Sequence, residues 1–249
     1  MTAIRTESRL RRILRLIPGS WKERVKRRAG AITLLGRLEN LQRAGFRPRK
    51  IIDAGAFVGD WSQAALQVFP EASFLMIEAQ PQLAPRLRQL VARTPRMAFR
   101  SALIGSEKSR AKFLIAESNS RIVPAAHAAA PDEQIEELPT ETLATLAADH
   151  GFTDCDFLKL DLQGAELEAL AGAGALFGTA EVVLIEVSWL RIGGVPLIGE
   201  VCQALADRGY RLYDILGFNY RPLDRALWQS DLLFVRRDSG LLAREHVWA

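Results

Sequence analysis

Residues 51–61 read Ile51-Ile52-Asp53-Ala54-Gly55-Ala56-Phe57-Val58-Gly59-Asp60-Trp61, a β-rich run that leads through a glycine-bearing turn into a helical pattern. Glycine permits positive φ and close backbone approach, and the free amides at the start of a helix meet polar or anionic groups. Gly55 and Gly59 do not match the G-x-G-x-x-G of a dinucleotide-binding turn. The stretch therefore predicts a strand, a turn that binds a smaller nucleoside ligand, and a helix.

Outward from this turn the chain alternates strand-like and helical patterns, which is typical of a parallel sheet covered by helices. Strands are predicted at 51–55, 73–79, 97–104, 156–162, 181–188, 210–216 and 231–236. Helices are predicted at 61–69, 81–92, 141–148, 165–176 and 198–208. These elements predict a doubly wound, Rossmann-like α/β fold with a mostly parallel seven-stranded sheet whose last strand is antiparallel.

Residues 105–140 interrupt this alternation. They contain the strand-like run 112–116, then Glu117-Ser118-Asn119-Ser120 and a stretch rich in alanine and proline. Excursions of this length in compact α/β domains more often form lids or substrate walls than simple connections. We expect the segment to form such a lid or wall.

Charge is divided unevenly along the chain. The net charge is +4, but residues 1–50 contain 15 Lys and Arg against 3 Asp and Glu, so the remainder is acidic. Residues 10–17 have the spacing of a short basic amphipathic helix, which Pro18-Gly19 ends. We therefore divide the chain into a basic helical N-terminal extension at 1–49 and a single α/β domain at 50–249.

Residues 9–28 fit two kinds of partner. One is an anionic membrane surface; the other, more ordinary for a solvated basic helix, is the domain itself or a second copy of the chain. Nucleic acid ranks last, because aromatic residues other than Trp21 do not interleave the segment. The chain has no apolar run of about 18 residues and no clean signal-peptide core, so we expect a cytoplasmic protein, at most peripheral at the inner membrane surface.

Cysteine and histidine provide neither a disulfide framework nor a metal site. Cys155 and Cys202 are far apart in the chain, and we expect both to be small buried hydrophobic residues. His127, His150 and His246 are isolated from one another and from cysteine. No metal is predicted.

An acidic residue ends the second predicted strand. Glu78 follows Asp53 by 25 residues, and a carboxylate at this place accepts both hydrogen bonds of a ribose diol. Alone the signal is weak, because a glutamate at a strand end is as often merely solvated. Together with the glycine turn it favours a ribose-binding pocket.

Several stretches together resemble a known family. They are the D-x-G-A-x-x-G turn at 53–59, the acidic strand end Ile77-Glu78-Ala79-Gln80-Pro81, the block Phe157-Leu158-Lys159-Leu160-Asp161-Leu162-Gln163-Gly164-Ala165-Glu166-Leu167-Glu168-Ala169-Leu170, Glu186, and Gln229-Ser230-Asp231-Leu232-Leu233-Phe234-Val235. The long block is the most specific, since it resembles the pattern K-[IL]-D-[VL]-[EQ]-G-x-E-x-x-[VL]-L. Across roughly residues 50–237 the chain resembles the FkbM-type family of class I S-adenosylmethionine-dependent methyltransferases.

The resemblance implies S-adenosyl-L-methionine as cofactor and assigns residues to it. The turn would surround the methionine part, Glu78 would take the ribose hydroxyls, and the end of the third predicted strand would lie near the adenine. The residues expected to bind the cofactor are Asp53, Gly55, Ala56, Phe57, Gly59, Trp61, Glu78, Ala79, Ser101 and Ala102. The chain departs from the family at Phe57, where asparagine is frequent, and at Gln163, where glutamate is commoner.

Methyl transfer to an alcohol requires a base for the hydroxyl proton, and Asp161 is the first candidate. Lys159 lies two residues earlier and so points to the same side of a strand, where we expect it to lower the pKa of the Asp161 carboxylate or to orient the acceptor. A purely structural ion pair between Lys159 and Asp161 is the alternative. Glu186 ends the next strand and shares this work. A divalent cation on Asp161 and Glu186 would need a third oxygen ligand that nothing in the sequence fixes.

The function implied by the resemblance is O-methylation of a hydroxyl on a carbohydrate, glycolipid or glycosylated metabolite. The expected partner is therefore a hydroxyl-bearing small molecule or glycan. Trp189, Arg191 and 218–220 follow late strands and would offer a sugar stacking and polar contacts. Two alternatives remain open: a non-catalytic cofactor-binding partner protein and, less favoured without G-x-G-x-x-G, a nucleotide-dependent oxidoreductase.

Overall fold

The computed structural model describes residues 34–191 and 195–243. The basic helix predicted at 10–17, and the whole of the segment 9–28 with its proposed partners, lie outside the described residues and stay predictions. None of the helices within the described ranges is long and apolar enough to cross a membrane.

Outside residues 103–142, the strands and helices occur in the order that the sequence predicts. The helices are α1 (Leu34–Arg43), α2 (Asp60–Val68), α3 (Ala84–Arg93), α4 (Leu143–Ala148), α5 (Glu166–Ala171), α6 (Ala175–Thr179) and α7 (Ile198–Ala206). The strands are β1 (Lys50–Ala54), β2 (Ser73–Glu78), β3 (Met97–Ser101), β4 (Leu103–Gly105), β5 (Ser109–Ile115), β6 (Arg121–Val123), β7 (Gln134–Thr142), β8 (Phe157–Leu160), β9 (Val182–Ser188), β10 (Tyr210–Tyr220) and β11 (Leu227–Arg236).

The main sheet has seven strands in the order β10-β11-β9-β8-β1-β2-β3. Its five strands from β9 to β3 are parallel, and β11 runs antiparallel to both of its neighbours. The predicted doubly wound sheet with an antiparallel last strand is therefore confirmed. The chain moves from β1 towards β3 and later from β8 towards β9, so the order reverses between β1 and β8. In open α/β sheets a ligand binds at the carboxyl ends of the strands at such a reversal.

Helices cover both faces of this sheet, which explains why its central strands are apolar on both sides. On β1, Ile52 packs with Leu143 beneath α4–α7, whereas Ile51 packs on the opposite face with the helices that precede β3. Leu38 and Leu41 of α1 are buried in that second layer. The part of the predicted extension that begins at residue 34 thus contributes to the core of the domain.

Two predicted elements are each divided in the structure. The strand predicted at 97–104 ends at Ser101, where the next amide, that of Ala102, donates to the Glu78 carbonyl. Strand β4 then belongs to another sheet. The helix predicted at 165–176 breaks into α5 and α6 around Gly172 and Gly174. A Cβ on Gly172 would lie 2.5 Å from the Gly105 carbonyl oxygen. Because glycine has no Cβ, the backbone at the break can approach the end of β4 closely.

Residues 105–140 contain more regular structure than their sequence predicts. Strands β5, β6 and β7 join β4 in a four-stranded sheet of order β4-β7-β5-β6, where one strand-like run was predicted. The β7 sequence is polar and contains Pro139, and its strand is defined by antiparallel pairing with β5. Local periodicity does not reveal a strand of this kind, because its stabilising partners are on another strand.

The hairpin of β10 and β11 is longer than the predicted strands at 210–216 and 231–236. Three register shifts interrupt the pairing of the two strands. Such bulges break the period of two by which a strand is recognised. As a result Phe218, Asn219 and Tyr220 lie in strand β10 and not in a loop.

Candidate active site

A cavity of about 520 Å³ opens at the carboxyl ends of the parallel strands, at the β1–β8 reversal. The first wall comes from residues at the carboxyl ends of β1, β2 and β8, among them Gly55, Glu78 and Asp161. The second sheet provides another wall through Phe113 and the turn 118–120. The expectation that residues 105–140 form a wall of the site is therefore consistent with the structure.

Gly55 permits the close approach of two strand ends below this cavity. Its φ is +81°, and a Cβ at this position would lie 1.8 Å from the carbonyl oxygen of Asp161. The amides of Gly55 and Ala56 both donate to the carbonyl of Ile77, at 2.9 and 3.0 Å. The turn therefore ties the ends of β1, β2 and β8 together, and only glycine fits at its first position.

Glu78 ends β2 with its carboxylate fixed by two backbone amides. Phe57 N donates to Oε2 at 2.8 Å and Gln80 N donates to Oε1 at 2.9 Å. Burial raises the pKa of Glu78, while the two amide donors act in the opposite direction. Phe57 reaches its donor position with φ +48°, so the amide contact is made by the backbone and survives the departure from asparagine.

Lys159 joins two carboxylates under the cavity. Its Nζ lies 2.9 Å from Asp53 Oδ1 and 3.3 Å from Asp161 Oδ2, and it donates to the Gly55 carbonyl at 3.0 Å. Asp53 is fully buried and also accepts from Ser62 Oγ at 2.7 Å. Burial alone would lower the pKa of Lys159, but the charges of Asp53 and Asp161 outweigh it and raise that pKa. The ion pair considered from sequence is thus present, and it orients Asp161.

Gln163 connects Asp161 to Glu186. Its Nε2 donates to Asp161 Oδ1 at 3.0 Å and to Glu186 Oε2 at 2.8 Å. Gln229 Nε2 adds a second donor to the same Glu186 oxygen at 3.0 Å. Burial, followed by the charges of Asp161 and Asp231, raises the pKa of Glu186 to about 9. The carboxylates therefore belong to one hydrogen-bonded group.

Glu166 shapes the turn that carries Asp161 and Gln163. Its buried carboxylate accepts from Leu162 N at 2.8 Å and from Gly164 N at 3.1 Å. The residue lies in the first turn of α5, where a carboxylate also favours the positive end of the helix dipole. Burial raises its pKa to about 7. Glu166 is thus a structural residue of the turn.

A second cavity of about 280 Å³ lies against the same glycine turn. Ala56, Trp61, Lys159 and Asp231 line it, together with apolar residues of α1, β9 and β10. It shares with the first cavity four lining residues, which are Gly55, Phe57, Asp161 and Glu186. The two cavities therefore meet at the carboxylates.

Comparison with known proteins identifies the family. Residues 53–212, which are 160 of the 249 residues, match the model of the methyltransferase FkbM domain. The chain belongs to the FkbM methyltransferase family. The resemblance inferred from the glycine turn, the acidic strand end and the block at 157–170 is thereby confirmed.

Comparison with solved structures gives matches of low sequence identity. The FkbM methyltransferase from Methylobacillus flagellatus is 18% identical in sequence, with a TM-score of 0.50. The alignment covers 75% of this chain and 43% of the Methylobacillus chain, so this chain spans less than half of the length of that protein. A precorrin-6y C5,15-methyltransferase from Geobacter metallireducens is 12% identical, covering 81% and 86% of the two chains with a TM-score of 0.47. Aeropyrum pernix fibrillarin, solved with natively bound S-adenosyl-L-methionine, is 12% identical, with a TM-score of 0.45. The alignment covers 80% of this chain and 74% of the fibrillarin chain. A search of the curated proteins gives no significant match.

The structure brings most of the predicted residues to the two cavities. Those lining the first cavity are Gly55, Phe57, Glu78, Ala79, Ala102, Asp161 and Glu186. Those found only in the second are Ala56, Trp61 and Lys159. Asp53, Gly59 and Ser101 line neither: Asp53 faces Lys159, Gly59 precedes α2 with φ +81°, and Ser101 is exposed.

Three residues of this group were not assigned to the site from sequence. Gln163 appeared only as a departure from the family pattern, while Gln229 and Asp231 appeared only within the family-like stretch 229–235, with no role assigned. Their two-residue spacing on β11 indicates a shared face, and β11 pairs with β9 so that Asp231 stands opposite Glu186. That pairing is the signal that would have revealed them. Within the described residues, no three His, Cys, Asp or Glu side chains are grouped so as to hold a metal ion.

Proposed function

We propose that this FkbM methyltransferase transfers a methyl group from S-adenosyl-L-methionine to a hydroxyl of a carbohydrate, glycolipid or glycosylated metabolite. The observation that supports this most is the position of Glu78. Its carboxylate is fixed at the edge of the same cavity that Asp161 and Glu186 border.

The residues of the first cavity fit the adenosine part of this cofactor. Each Glu78 oxygen uses one lone pair for a backbone amide and keeps another, which suits the two hydroxyls of a ribose. Ile77, Ala102 and Leu103 provide an apolar surface beside it for a base. The volume of about 520 Å³ lies in the range of small-molecule sites.

Asp161 is the proposed base. When bound, the cofactor supplies an electrophilic methyl group on a sulfonium sulfur. Asp161 accepts the proton of the acceptor hydroxyl, and Lys159 and Gln163, which contact one Asp161 oxygen each, hold the carboxylate in place. Glu186, with its raised pKa, is protonated at neutral pH and therefore acts as a neutral hydrogen-bonding group beside the base.

The far wall of the cavity supports a sugar as acceptor. Tyr220 and Trp228 present aromatic surface there, and Asn219 and Gln229 present amides. Pyranose rings combine apolar C–H faces with equatorial hydroxyls, so they pair with aromatic and amide groups together. Trp189, Arg191 and Phe218, which the sequence also suggested for this role, do not line the cavity.

An acceptor screen tests the proposal. Purified full-length protein would be incubated with S-adenosyl-L-methionine and a panel of glycans and glycosides, and release of S-adenosylhomocysteine would be measured. On any acceptor found, Asp161→Asn is expected to lower kcat by about 100-fold or more while the affinity for S-adenosylhomocysteine is retained. Asp132→Asn, at an exposed carboxylate outside both cavities, is the matched control. Unchanged turnover in Asp161→Asn would contradict the assignment of the base.

A further inference from the structure

The second cavity contains a carboxylate that has no hydrogen-bond partner among the residues the structure describes. The side chain of Asp231 makes no hydrogen bond or ion pair with another described residue, and it lies half-buried on β11. Burial and the nearby charge of Asp161 raise its pKa to about 6, so it is ionised at neutral pH. A cationic ligand group would stabilise a half-buried anion that has no partner of its own.

The backbone makes room for this carboxylate. Gly217 of β10 is the cross-strand partner of Asp231, and a Cβ at Gly217 would lie 2.4 Å from Asp231 Oδ2. The Asp231 side chain therefore occupies the space that a side chain at 217 would take. The position of the carboxylate next to the cavity depends on glycine at that place.

The charges around the second cavity are also unbalanced. Asp231 and Asp161 border it as anions, while Glu186 is neutral and Asp60 is paired with Arg86. The single cation in its described lining, Lys159, is already engaged by Asp53, Asp161 and the Gly55 carbonyl. Most of the other lining residues are apolar, among them Ala56, Leu184 and Leu216. The cavity thus suits a short aliphatic chain that ends in an ammonium group.

We infer that the second cavity takes the amino-acid end of the cofactor and that Asp231 accepts the α-ammonium group. The inference rests on the proposed cofactor. It adds Asp231 to the cofactor site, a residue outside both the glycine turn and the block at 157–170. A ligand with its ribose at Glu78 reaches the second cavity where the two cavities meet, at Gly55 and Asp161. Asp231 is accordingly a cofactor-positioning residue and a determinant of which adenosine thioethers bind.

Two ligands that differ only in the amino-acid end test this inference without any acceptor. Calorimetry would compare S-adenosylhomocysteine with 5′-methylthioadenosine, which keeps the adenosine and the sulfur. The wild-type protein is expected to bind S-adenosylhomocysteine at least about tenfold more tightly. Asp231→Asn is expected to remove about tenfold of that preference by weakening S-adenosylhomocysteine alone, whereas Asp132→Asn leaves both affinities unchanged.

A second variant keeps the charge but moves it. Gly217→Ala places a methyl group against Asp231 Oδ2 and is expected to reduce the same preference. Equal weakening of both ligands, or no weakening in either folded variant, would overturn the role of Asp231 while leaving the cofactor assignment intact. Failure of the wild type to bind either ligand would instead overturn the proposed cofactor together with this inference.

Discussion

The ammonium group of Lys159 lies 2.9 Å from the carboxylate of Asp53, and both side chains are buried. Replacing Lys159 by Met would leave Asp53 as an uncompensated buried charge. Among the described residues, its one remaining side-chain donor would be Ser62 Oγ. We expect Lys159→Met to lower the free energy of unfolding by about 3–5 kcal/mol in urea denaturation. Lys108→Met, which breaks an exposed pair with Glu141, should change it little. Equal stability of the two variants would contradict a structural role for the Lys159–Asp53 pair.

Gly55→Ala tests the approach of β1 to β8. The added Cβ would meet the Asp161 carbonyl oxygen at 1.8 Å in a backbone with φ +81°, so we expect a loss of about 3 kcal/mol or more in the free energy of unfolding. Gly151→Ala is the matched control, because Gly151 has φ +73° but no atom within 4 Å of its Cβ position. It should show only the backbone strain, about 1 kcal/mol. If both variants lose the same amount, the close approach at Gly55 does not require glycine.

The raised pKa of Glu186 predicts a pH dependence of stability. Between the ordinary carboxyl pKa of 4.5 and the folded value of about 9, the folded protein binds a proton that the unfolded chain has released. Stability therefore falls as pH rises through this window, with a contribution of at most about 1.4 kcal/mol per pH unit from this group. Urea denaturation from pH 6 to 9 would measure the slope.

Glu186→Gln is the variant for that measurement. It removes the titrating group and keeps a side chain of the same size beside Gln163 and Gln229. We expect a visibly flatter pH dependence than in the wild type. An unchanged slope would mean that the proton is held elsewhere among the carboxylates.

Local sequence signals located one half of the candidate site. The glycine turn and Glu78 could be predicted because a strand, a turn and a helix are contiguous, and because a residue at a parallel strand end lies at the sheet edge. Asp161 and Lys159 could be placed on one side by the period of a strand. These inferences need no knowledge of distant pairing.

The remaining half depends on non-local structure. The bridge from Gln163 to Glu186 requires a left-handed backbone at Gln163 and a rotamer directed at another strand, neither of which a sequence pattern specifies. Asp231 reaches the site through the pairing of β11 with β9, in a hairpin whose bulges hide its length. The wall formed by β5–β7 depends on pairing between polar strands.

The most direct test is calorimetric titration of the full chain with S-adenosylhomocysteine, with NADH titrated in parallel, for the wild type and Glu78→Ala. We expect S-adenosylhomocysteine to bind the wild type and its affinity to fall by at least about tenfold in Glu78→Ala, since two charge-assisted hydrogen bonds to the ribose are lost. Thermal melting of the variant would show that the fold is retained. Binding of NADH in place of S-adenosylhomocysteine, or equal affinity of the wild type and the folded variant for S-adenosylhomocysteine, would contradict the proposed cofactor site.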